Sequence, residues 1–170
     1  MKSLYSLFVL LFAVNVTGAQ FTFQSPTETI QHVSNPEVVV PIVASISYQG
    51  YDETQAYFGE GEYEIFLDNV DGVLDKPIII LDGFDPGDAR DINGLYSSFA
   101  FGGQNLADIV RNEGFDIVIL NAPVYNTDGK DIDGGADFIQ RNAMVLVELI
   151  NEMNDQKVGD EELVVLGPSM

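Results

Sequence analysis

With 27 acidic against seven basic residues in 170, the chain carries a net charge of −20. This removes nucleic acid and anionic lipid surfaces from its partners, because both are gripped through Lys and Arg. The absence of cysteine excludes disulfides, zinc–thiolate centres and cysteine nucleophiles.

The first segment, residues 1–19, reads MKSLYSLFVLLFAVNVTGA. Lys2 supplies a positive start, Leu7 to Val14 an apolar run too short to span a bilayer, and Thr17 and Ala19 the small residues that signal peptidase prefers. The reading is a signal peptide cleaved after Ala19; the competing one is a buried N-terminal helix. Export implies a secreted, periplasmic or cell-surface protein. No second long apolar run follows, so no transmembrane segment is expected after cleavage.

Residues 20–36 are a polar lead-in, and 37–75 a β segment. Val38 to Tyr48, rich in β-branched residues, predicts a strand with Pro41 at an edge or bulge. Gln49 to Gly61 holds three glycines and reads as a loop; Glu62 to Asp68 predicts a second strand, and NVDGVLD a turn.

From Lys76 the rhythm changes. Pro77 to Leu81 is short and wholly apolar, the mark of a strand buried on both faces of a parallel sheet. A loop rich in Asp and Gly follows. Leu106, Ile109 and Val110 then recur at helical spacing, with Gly114 as a C-terminal stop. Phe115 to Leu120 predicts a second buried strand, and VYNTDGKDIDGG a loop. Ala136 to Asn154 carries an apolar stripe from Phe138 to Met153 at i, i+3, i+4 steps, with Asp137 at its positive end. Leu163 to Leu166 predicts a third buried strand. Strand–helix alternation of this kind predicts an α/β fold with a mostly parallel sheet and crossover helices, with sites at the carboxyl ends of the strands.

Gly167-Pro168-Ser169 follows directly on that last strand. In a nucleophile elbow a serine sits on a sharp strand-to-helix turn, where crowding demands a glycine two residues before it. Gly167 fills that place. A bare G-x-S is common, and an ordinary terminal turn is the competing reading, but the preceding strand supplies the context the motif requires.

On these residues, Pro77 to Met170 resembles the N-terminal half of an α/β-hydrolase of the secreted bacterial lipase and esterase type. The resemblance implies an incomplete hydrolase fold over residues 76–170, with an antiparallel strand pair, Val38–Tyr48 and Glu62–Asp68, opening the sheet. It implies Ser169 as nucleophile, tight turns at Gly83 and Gly167, and an oxyanion hole made by the backbone amides of Phe84 and Met170, with Asp85 able to replace Phe84. Asp82 stands where many relatives carry a histidine. The resemblance implies ester hydrolysis through an acyl-enzyme, on a small-molecule or lipid ester, with no cofactor and no metal.

Serine needs a base and an orienting carboxylate. In the family's order both would follow Met170. His32, the sole histidine, precedes the first strand and reads as a solvated side chain. The 170 residues alone are therefore expected not to turn over esters.

Two acidic stretches compete for function. Asn126 to Asp137 (NTDGKDIDGGAD) offers oxygen ligands, yet lacks the spacing of a Ca²⁺ loop and holds Lys130 at its middle. It reads as a solvated loop, with Ca²⁺ binding as the lesser alternative. In DGFDPGDARD, Arg90 is expected to neutralise Asp88 and Asp91. Against the enzyme stands a non-catalytic exported module of the same fold, binding a partner, a polymer or Ca²⁺.

Overall fold

The computed structural model describes residues 38–167. The leader, the polar lead-in, His32, Ser169 and Met170 lie outside the described residues.

Five strands form the main sheet: β1 (Val40–Tyr48), β2 (Tyr57–Phe66), β3 (Pro77–Leu81), β6 (Asp116–Asn121) and β9 (Val164–Leu166), in the order β1-β2-β6-β3-β9. β3 pairs in parallel with β6 and β9, while β2 pairs antiparallel with β1 and β6. Four strands thus run one way and only β2 opposes them. This is the expected α/β class, opened by the expected antiparallel pair. Pro41 sits on the edge strand β1, as a residue without an N–H must. The irregularity in that strand lies further on, between Val43 and Ser47.

Strand periodicity divides the core into two layers. Ile79, Val118 and Leu120 point to one face, where Val145, Leu149 and Met153 of α3 (Ile139–Gln156) cover them. Ile80, Ile117 and Ile119 point to the other. There they meet Ile92 and Leu95 of α1 (Ile92–Ser98) and Ala107 of α2 (Leu106–Asn112). Burying each such aliphatic side chain stabilises the fold by about 1.5–3 kcal/mol before entropy is counted.

The structure corrects several expectations. β2 begins at Tyr57, inside the stretch expected to be a loop. Its glycines mark a close helix approach: a Cβ on Gly59 or Gly61 would stand 2.7 or 2.9 Å from a Val145 methyl. The Asp-rich loop after β3 contains α1, whose N-cap Asp91 accepts a hydrogen bond from the Gly94 amide at 2.7 Å. It also contains a hairpin, β4 (Ala100–Phe101) and β5 (Gln104–Asn105). The second acidic loop is a hairpin too, β7 (Val124–Thr127) with β8 (Lys130–Asp133). It turns on Asp128 and Gly129, both at positive φ (52° and 78°).

In α2 the expected stripe is largely turned outward: Leu106 and Ile109 are exposed, and Ala107 is the buried residue. α3 starts three residues later than expected, behind a 3-10 turn at Gly134–Ala136. β9 was expected to be buried; its Val164, Val165 and Leu166 are 51%, 41% and 43% exposed, at the sheet edge.

Candidate active site

The chain leaves β3, passes through α1 and α2 on one face, and enters β6. It then crosses back through α3 on the other face to β9. Loops after β3 and β6 therefore diverge, and a crevice opens between the carboxyl ends of these strands. A cavity of about 440 Å³ occupies it. Leu81 and Leu120 form its floor, and Ile139, Ala143 and Leu146 of α3 a wall.

Three sequence-selected residues, Gly83, Phe84 and Gly167, line this one cavity. Phe84 is 64% exposed. Gly167 follows β9, which brings it alongside the β3 loop through the Ile80–Leu166 pairing. A Cβ on Gly167 would lie 3.9 Å from Leu81, an ordinary contact, so no described neighbour crowds that glycine.

The loop after β3 is held by its own carboxylates. The Asp82 amide donates to Leu120 O at 3.0 Å, extending the β3–β6 ladder by one residue. Asp82 Oδ1 accepts from the Gly83 amide at 2.7 Å and from Arg90 Nη2. Arg90 thus neutralises Asp82, rather than Asp88 and Asp91 as expected. Asp91 caps α1, and Asp88 accepts from Asn121 Nδ2 at 3.0 Å. The hydrogen bond that Arg90 donates to Asp82 also holds its guanidinium above its ordinary range. Asp85 gives its amide to Gly135 O at 3.0 Å, which removes it as an alternative donor to Phe84. Gly135 must be glycine here, because a Cβ would stand 2.1 Å from Asp85 O.

Behind the cavity, Arg141 is fully buried. Its Nη1 donates to both oxygens of Asp137, at 2.7 and 2.9 Å, and its Nη2 to Glu53 and to Tyr48 O. Glu53 also accepts from Lys130 and from the Gly50 amide at 2.8 Å. Burial opposes the charge on Glu53, but these donors outweigh it and hold its carboxyl below the ordinary 4.5. Asp137, expected at the positive end of a helix, serves this network instead.

Two of the acidic hairpin's carboxylates have protein partners: Asp131 accepts from Asn126, and Asp133 from the Gly87 amide. Among the described residues no group of three or more His, Cys, Asp or Glu side chains could hold a metal ion. None of their helices is long and apolar enough to cross a membrane.

Arg90, Asn121 and Gly135 were missed as parts of the site, and Asp82 was noted there only as standing where relatives carry a histidine. The Asp82–Arg90 spacing of eight residues follows no periodic rule, so only the fold brings the pair together.

No family model and no curated protein sequence matches the chain. Among solved structures, it is similar to an α/β serine hydrolase without a lid from Xanthomonas campestris. Identity is 15%, coverage 74% of this chain and 50% of that one, and the TM-score 0.40. The chain thus spans about half the length of that structure. The strand order and strand directions define an α/β fold with a mostly parallel sheet.

Proposed function

We propose that the protein is an exported serine hydrolase that cleaves esters through an acyl-enzyme. One observation carries the reading. Gly167, two residues before Ser169 in sequence, lines the same cavity as Gly83 and Phe84, at the carboxyl ends of adjacent parallel strands. A nucleophile delivered by one strand and an oxyanion donor delivered by its neighbour suit acyl transfer.

In this reading Ser169 attacks the ester carbonyl, and the Phe84 and Met170 amides stabilise the tetrahedral oxyanion. The apolar wall receives the non-reacting part of the substrate. The mechanism also needs a general base and an orienting carboxylate; the described residues hold no histidine, so no base is assigned among them. Export rests on the leader-like residues 1–19.

The test is labelling of the protein at its full natural length with a fluorophosphonate. A covalent adduct on the peptide containing Ser169, lost in Ser169→Ala, supports the reading. No adduct on Ser169, under conditions that label a control serine esterase, would show a module that binds without catalysing.

A further inference from the structure

Three consecutive amides, Gly83, Phe84 and Asp85, follow Asp82 at the end of β3, and Gly83 and Phe84 line the cavity. Two are consumed inside the loop. The Gly83 amide is turned back onto Asp82 Oδ1 at 2.7 Å, and the Asp85 amide is bound to Gly135 O at 3.0 Å. The Phe84 amide between them has no hydrogen-bond partner among the described residues.

We propose that Asp82, braced by Arg90, is a positioning residue that makes Phe84 the single oxyanion donor of this loop. The inference rests on the serine hydrolase reading above.

Asp82 sits immediately after β3 with its side chain 2% exposed, so its carboxylate is fixed by the sheet rather than by solvent. By capturing the neighbouring amide it sets the direction in which the chain turns, as an Asp in a turn does. A bare carboxylate beside a developing oxyanion would repel it. Arg90 removes that penalty, because its guanidinium binds the same Oδ1 and makes the pair neutral. Arg90 is itself fixed at its backbone, its amide donating to Asp85 Oδ2 at 2.8 Å. The loop is thereby closed at both ends around Phe84.

Asp82 Oδ2 and Arg90 Nε are buried and have no hydrogen-bond partner among the described residues, so the pair is held through the Oδ1–Nη2 contact alone.

The experiment compares the wild-type protein at its full natural length with Asp82→Ala, Asp82→Asn and Arg90→Gln. It measures kcat and KM on p-nitrophenyl butyrate and fluorophosphonate labelling of Ser169. Loss of an oxyanion-hole donor lowers kcat about 100-fold or more. Asp82→Ala is expected to approach that loss with KM changed less than about threefold, the pattern of an interaction made only in the transition state. In Asp82→Asn the amide oxygen still accepts from Gly83, so the loss is expected to be smaller, about tenfold. Arg90→Gln leaves a bare carboxylate and is expected to lower kcat with KM similarly unmoved.

Asp82→Asn preserves shape and carries the test if the alanine variant does not fold. A kcat within about twofold of wild type in Asp82→Asn and Arg90→Gln, with labelling intact, overturns the positioning role and spares the hydrolase reading. So does a loss confined to KM. A wild-type protein that neither labels nor turns over removes the hydrolase reading and this role with it.

Discussion

Gly135 illustrates how a single atom governs the site. Its missing Cβ lets the turn before α3 accept the Asp85 amide, and any side chain would collide with Asp85 O. Gly135→Ala is expected to cost about 1–3 kcal/mol, because the obstacle is backbone and cannot swing away. It should also displace the loop that carries Phe84. Urea unfolding of the chain measures the first effect; a midpoint unchanged from wild type would contradict the tight packing. The glycine was visible in the sequence, but only as part of a Gly-Gly run. Its partner lies 50 residues away.

At the scale of elements, the start of α3 is tied to the loop before β2 and to the β7–β8 hairpin through Arg141, Glu53 and Lys130. Removing one partner of a buried ion pair strands the other, at a cost of about 3 kcal/mol or more. Glu53→Gln should therefore destabilise the protein at neutral pH. The pH dependence has a definite sign. The folded-state pKa of Glu53 lies below its ordinary 4.5, so the unfolded chain binds more protons as the pH is lowered. Its contribution is present above about pH 4.5 and is lost as pH falls through the lower folded value. Urea midpoints across this acid range should fall less steeply with decreasing pH in Glu53→Gln than in wild type; parallel curves would rule out the linkage. Nothing in the sequence pattern singled out Arg141. Its complete burial depends on Asp137, Glu53 and the rings of Tyr57 and Phe138, 5.7 and 5.4 Å from the guanidinium.

The whole molecule carries 27 acidic residues against seven basic ones. In the described part most of the basic side chains are drawn to specific carboxylates: Lys76 to Asp75, Arg90 to Asp82, Arg111 to Asp108, and Lys130 and Arg141 to Glu53. The surplus of negative charge is left to repel itself across the surface. Added salt screens that repulsion more than it weakens the buried pairs. The urea midpoint of the 170-residue chain is expected to rise between about 20 mM and about 500 mM NaCl. A midpoint that falls would mean that ion pairing, not repulsion, dominates its electrostatics.

The sequence by itself determined the parallel core. Ile78, Ile79 and Ile80, and Ile117 to Leu120, form uninterrupted apolar runs that suit strands covered on both faces, and the parallel β3–β6 pair is where they are covered. It also indicated the crevice end where Gly83, Phe84 and Gly167 meet, since alternating strands and helices put loops at the carboxyl edge. Only the tertiary structure decided which loop residues hold one another. Asp82 with Arg90, Asp85 with Gly135 and Arg141 with Glu53 obey no local period. Acidic stretches that look alike in sequence became a helix cap, hairpin contacts and a braced turn, because each carboxylate took the donor that folding brought to it.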